Sequence, residues 1–119
     1  MHAVDLDSIR RLAFAYPEAY EAPHFHLTSF RVGSKIFATA PLDGEVVRIF
    51  VDESEARSCV AEGLQGFELL RWGEKIAGIS VVLSTADSKR VAELLEESWR
   101  RRAPKRLAAE FDAARTPGD

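Results

Sequence analysis

Leu6, Ile9, Leu12, Ala13 and Tyr16 recur at helical spacing, while Arg10 and Arg11 fall largely off that stripe. The pattern predicts an amphipathic helix from about Asp5 to Tyr16. Pro17 stops it, because proline lacks an N–H and its ring crowds the preceding turn. Residues 17–27 carry two prolines and read as an irregular connection. The period then shortens to two. Thr28–Val32 and Lys35–Ala40 read as strands around Gly33-Ser34, a glycine-first pair suited to a type II′ hairpin. Asp43-Gly44, suited to type I′, leads into a third strand, Glu45–Val51. There Val47, Ile49 and Val51 share one face, and Val46, Arg48 and Phe50 share the other.

Asp52 and Glu55 form a capping-box-like pair ahead of Ala56, Cys59 and Val60, which predicts a second helix that Gly63 ends. Two more strands follow at Phe67–Trp72 and Ile76–Leu83. A third helix starts near Ser84 to Asp87, with Val91, Leu94, Leu95, Ser98 and Trp99 as its stripe. Pro104 ends or kinks it. A last short helix turns Leu107, Ala108 and Phe111 inward, and Thr116–Asp119 reads as a frayed end. The order is α-βββ-α-ββ-α-α. Adjacent strands joined by hairpins favour an α+β fold, a two-layer sandwich with a five-stranded, mostly antiparallel sheet packed against helices. Leu12, Phe37, Ile49, Val81, Leu95 and Trp99 are expected to be buried.

At 119 residues the chain reads as a single domain, 1–119, with 46% apolar and 29% charged residues. One cysteine excludes an internal disulfide and four-cysteine metal sites. No apolar run approaches the roughly 20 residues of a membrane helix. The mixed, acidic N-terminal residues do not resemble a signal peptide, so the expected location is the cytoplasm. A net charge of −3 weighs against nucleic-acid binding by the whole surface and requires any such binding to use a local basic patch.

A set of short motifs spans nearly the whole chain in order. These are Pro17-Glu18-Ala19-Tyr20-Glu21, His24-Phe25, Ser29-Phe30-Arg31-Val32 and Lys35-Ile36-Phe37-Ala38-Thr39. Further on come Trp72-Gly73, Gly78, Ser98-Trp99-Arg100 and Ala103-Pro104-Lys105-Arg106-Leu107. Together they resemble the MmcQ/YjbR-like family of small bacterial proteins. The chain departs from that pattern at Ser34, where the family has glycine, and at Ile79, where an aromatic is common. The resemblance implies a two-layer α/β sandwich similar in outline to secretion chaperones, and a DNA-binding role.

Glu97–Leu107 holds five cations, Arg100, Arg101, Arg102, Lys105 and Arg106, against one carboxylate. That is +4 in a chain of net −3, so the remainder carries −7. Arginine forks suit phosphate oxygens. Cations at a helix C-terminus also complement its dipole and pair with Glu93, Glu96 and Glu97 one turn earlier. Arg31 and Lys35, beside Phe30 and Phe37, suggest a hairpin wing; strand alternation alternatively turns the phenylalanines inward and the charges to water. His24 and His26 are too sparse a set for a metal site. Ser29, His24 and Glu21 supply the inventory of a hydrolytic triad without any nucleophile-elbow motif. Cys59 reads as an inert core thiol, and Trp72 and Trp99 as core or edge packing. The expectation is a non-enzymatic protein without cofactor that binds DNA weakly and through phosphates, with Arg31, Lys35, Arg100, Arg101, Arg102, Lys105 and Arg106 as contacts. The alternative is a chaperone-like interaction module for a protein partner or a second copy.

Overall fold

The computed structural model describes residues 4–115. The stretch Thr116–Asp119, expected to fray, lies outside them. Helix α1 (Leu6–Phe14) is capped by Asp5, whose carboxylate accepts from the Ser8 N–H at 2.8 Å. Four strands follow: β1 (Ala19–His24), β2 (Leu27–Val32), β3 (Lys35–Pro41) and β4 (Val46–Ile49). Then come α2 (Glu53–Ala61), β5 (Phe67–Trp72), β6 (Lys75–Val82), α3 (Ser88–Arg102) and α4 (Lys105–Arg115). Asp52 caps α2 through the Glu55 N–H, as the capping pair predicts.

The strands form one antiparallel sheet in the order β1-β2-β3-β4-β6-β5. The α+β sandwich is therefore as expected, but with six strands rather than five. The added strand is β1, in the segment expected to be irregular. Pro23 sits in register opposite Thr28, and the sheet accommodates it because β1 is an edge strand whose outer ladder faces no neighbour. A second correction concerns Asp43-Gly44. Asp43 is not at positive φ, so the pair is not a type I′ turn. The Gly44 N–H donates to the Pro41 carbonyl at 3.0 Å around Leu42 and Asp43, with Gly44 left-handed at φ 72 just beyond. At the β2–β3 hairpin Gly33 alone has positive φ (62), the pattern a type II′ turn requires.

The helices cover one face of the sheet. Phe30, Ala38, Ile49, Ile79 and Val81 from that face meet Ile9, Ala13, Cys59 and the stripe Val91, Leu94, Leu95, Ser98 and Trp99 in one core. Phe37, Ile49, Val81, Leu95 and Trp99 are buried as expected; Leu12 is half-buried at the margin. Ladder irregularities at Phe30/Arg31 and Leu70/Arg71 mark β-bulges, and the first leaves Phe37 as the extra residue, free to turn inward beside Ala38. Arg90, 13% exposed, ties α3 to α2 through Glu55 and Glu62 and pairs with Glu93 on its own helix.

Candidate functional site

Strand pairing builds the opposite face of the sheet. Ser29 pairs with Thr39, Thr39 with Arg48, Arg48 with Ser80, and Ser80 with Glu68. Directly paired residues share a face, so these five side chains form a polar row on the side free of helices. Phe50, two residues from Arg48, lies on that side too. It is buried yet outside the main core, because Trp72 covers it, ring centroids 5.3 Å apart and tilted. Trp72 itself is 59% exposed.

A groove of about 410 Å³ opens here. Leu27, Ile36 and Phe50 give it an apolar floor, Trp72 a wall, and Lys35, Arg48 and Arg102 a basic rim. His24, Ser34 and Thr39 complete it, and no lining residue is acidic. A second cleft shares Ser34, Lys35 and Arg102, adds Arg101, and again contains no carboxylate. The two form one trough around the β2–β3 turn.

The position of Arg102 follows from α3. The buried Ser98 hydroxyl lies between the carbonyls of Phe37 (2.5 Å) and Phe50 (2.6 Å) and shares its single proton between them. This pins α3 where β3 bulges. Arg102, four residues on, is on the same helix face one turn further, past the end of the core. Its Nε is buried without a hydrogen-bond partner among the described residues. Replacing Ser98 with alanine strands a buried carbonyl. The expected result is a stability loss of about 1–3 kcal/mol, read from urea unfolding midpoints at unchanged m-value.

Of the expected contact residues, the structure brings Lys35, Arg101 and Arg102 together. Arg101 and Lys35 are exposed, and neither they, Arg102 nor Arg48 has a carboxylate partner among the described residues. Arg100 faces elsewhere, bound to Asp112 at 2.6 Å and Glu96 at 3.0 Å; these bonds, the Asp112 bond foremost, push its pKa further up despite partial burial. Arg106 is near Glu18 (3.6 Å) and Glu110 (3.8 Å). Exposed Lys105 lines neither cleft. Arg31 donates to the Ser29 hydroxyl at 2.8 Å and the Pro23 carbonyl at 3.2 Å, so it braces the β1–β2 hairpin. Phe30 and Phe37 both turn into the core, Phe37 by way of the bulge.

The hydrolytic inventory does not assemble. The Ser29 hydroxyl donates to the Ala22 carbonyl at 2.7 Å. Burial pushes the Glu21 carboxyl up, but hydrogen bonds from Arg10 and Thr28 outweigh that and hold it below the usual range. Burial pushes the Cys59 thiol up, which keeps it unreactive. Among the described residues no three His, Cys, Asp or Glu side chains gather as metal ligands. No helix there is long and apolar enough to cross a membrane. His24 meets Phe25 edge-on at 4.7 Å at the hairpin tip, where Phe25 is left-handed (φ 57) and 90% exposed.

Arg48 and Trp72 are the site residues that sequence reasoning missed. The signal for Arg48 was its shared strand face with Phe50. Nothing local marked Trp72 as exposed, since its placement depends on β5 lying next to β6 at the sheet edge.

No curated protein matches the chain. Among solved structures, the fold is similar to the crystal structure of Deinococcus radiodurans protein DR2400, of domain family DUF419. The TM-score is 0.72 at 18% identity, covering 92% of this chain and 89% of that one. The YjbR family model matches residues 14–101, which take in the β1–β2–β3 hairpins, both β-bulges and the α3 stripe. With most of its length matched and the fold in agreement, the chain belongs to the YjbR family.

Proposed function

We propose that this protein binds nucleic acid without catalysing a reaction, holding phosphates along the trough of Lys35, Arg48, Arg101 and Arg102. One observation carries the reading. Lys35, Arg48, Arg101 and Arg102, none with a carboxylate partner among the described residues, converge on a recess with no acidic lining, whereas Arg100 and Arg106 of the same basic run are ion-paired. In a chain of net charge −3, such a locus is where a polyanion approaches against the least repulsion. Contacts would be to phosphates rather than base edges in a groove, because the helices lie on the other face of the sheet.

Four phosphate contacts give a log–log salt slope of about −3, at roughly −0.7 to −0.9 per contact. Affinity is expected to be micromolar or weaker at physiological salt, on the order of non-specific binders. Titrating labelled oligonucleotides at about 50 and about 200 mM salt should show binding weakened by roughly fiftyfold. Combining Lys35→Ala, Arg48→Ala and Arg102→Ala should flatten the slope to about −1 and weaken all sequences alike. Arg100→Ala with Arg106→Ala should leave it unchanged. A wild type without salt-dependent binding, or a triple variant that binds as well, would overturn the reading. The interaction-module alternative would then lead, at the apolar hairpin end of Phe25 and Leu42.

A further inference from the structure

We infer that the trough seats a single strand, with one base stacked on Trp72 and the adjoining phosphates against Lys35, Arg48 and Arg102. The inference rests on the nucleic-acid reading above and adds the form of the ligand. Its first support is shape. The cations rim a recess of about 410 Å³ instead of standing on a ridge. A duplex is convex, with its bases stacked inside and its phosphates outside, so it leaves an apolar recess empty. An unpaired base can enter one.

The second support is the wall of the recess. Trp72 stands 59% exposed, buttressed from below by Phe50, while Trp99, the chain's other tryptophan, is fully buried. A large ring held open beside cations is the stacking platform that single-strand binders use, and it is tolerant of sequence because every base has a π face. Arg102 supplies the third support. Its side chain lines both halves of the trough and has no carboxylate partner among the described residues, so its guanidinium is available to an anionic oxygen there. Fourth, the recess continues past Ser34 towards Arg101. A free mononucleotide would use one half of this trough; a strand with phosphates at successive positions uses both.

Trp72 is also the reporter. Because Trp99 is enclosed by Tyr16 and Phe111, fluorescence quenching by a ligand in the trough arises at Trp72. The probes are oligo-dT of about ten nucleotides, within the site sizes of single-strand binders, and a blunt duplex of equal length. The expected result is quenching by the single strand and weaker, non-quenching binding of the duplex. Trp72→Ala should weaken the single strand by about tenfold to a hundredfold and leave the duplex within about twofold, while Trp72→Phe keeps part of the affinity. Equal binding of both forms, unaffected by Trp72→Ala but weakened by Arg48→Ala, overturns the stacking inference and leaves the phosphate reading intact. Absence of binding to either form overturns both. Quenching by thymidine monophosphate with no oligonucleotide binding overturns the strand inference in favour of a small-molecule pocket.

Discussion

Gly78→Ala is expected to prevent the chain from reaching its native fold. A Cβ at position 78 would point straight at the Ile49 carbonyl oxygen, in hard contact, and would lie 2.9 Å from the Phe50 Cα. Both obstacles are backbone, at the last residue of β4 and the one after it, and β4 pairs with β6 directly alongside (Ile49 with Ile79), so no side chain can swing aside. Relief requires β4 and β6 to separate in the middle of the sheet, where Ile49 and Ile79 are fully buried. The same movement would displace the Phe50 carbonyl from Ser98 and so unpin α3. The expected cost is above about 4 kcal/mol, in the range that marks a named steric fault. Insoluble protein, or loss of near-ultraviolet circular dichroism, would report it. Gly33→Ala is the control. Its Cβ meets nothing within 4 Å, so only the left-handed backbone at φ 62 is penalised, by about 1–2 kcal/mol. Normal folding of Gly78→Ala would show that β4 and β6 tolerate a wider spacing.

Trp99→Ala should give the second largest effect. Trp99 is the largest fully buried side chain. Its ring stacks on Tyr16 at 5.5 Å and meets Phe111 edge-on at 5.4 Å, and its indole N–H donates to the Pro17 carbonyl at 3.2 Å. It therefore joins α3, α4 and the end of α1. Truncation leaves a large cavity and an unpaired carbonyl, at a cost of about 3–5 kcal/mol. Against a typical domain stability of about 5–15 kcal/mol that is a large share, and the melting temperature should fall by roughly 10–20 °C. Trp99→Phe keeps most of the packing but not the hydrogen bond, and should lose less than half as much. Calorimetry of the two variants checks both values; near-equal losses would place the energy in the hydrogen bond instead of the cavity.

The parts of the fold legible in the sequence are those whose signal is local. The α3 stripe at positions 91, 94, 95, 98 and 99 is buried as its spacing predicts. Asp52 caps α2 through Glu55, and Gly33 turns the β2–β3 hairpin. Strand β1 was not legible. Ala19–His24 has a proline and no clean alternation, and it is a strand because β2 offers it a partner. The turn at Asp43-Gly44 was misassigned for a related reason. The dipeptide suits a two-residue loop, but the spacing of β3 and β4 places Leu42 and Asp43 at its centre instead.

The candidate site divides the same way. Sequence alone marked Lys35, Arg101 and Arg102 as cations to watch, and placed Arg48 and Phe50 on one strand face. Charge count could not tell which arginines are neutralised. Arg100 and Arg102 are two residues apart, yet the helical turn sends one to Asp112 and Glu96 and the other over the sheet. Residue types and periodicity determined the helices, most strands and the inward faces, because those depend on neighbours within a few positions. Only the tertiary structure decided that Trp72 stands open beside Phe50, that the β2–β3 turn meets the end of α3, and that four cations there lack carboxylates. Each of these depends on strands and helices far apart in the chain packing at fixed register, and no local pattern encodes that.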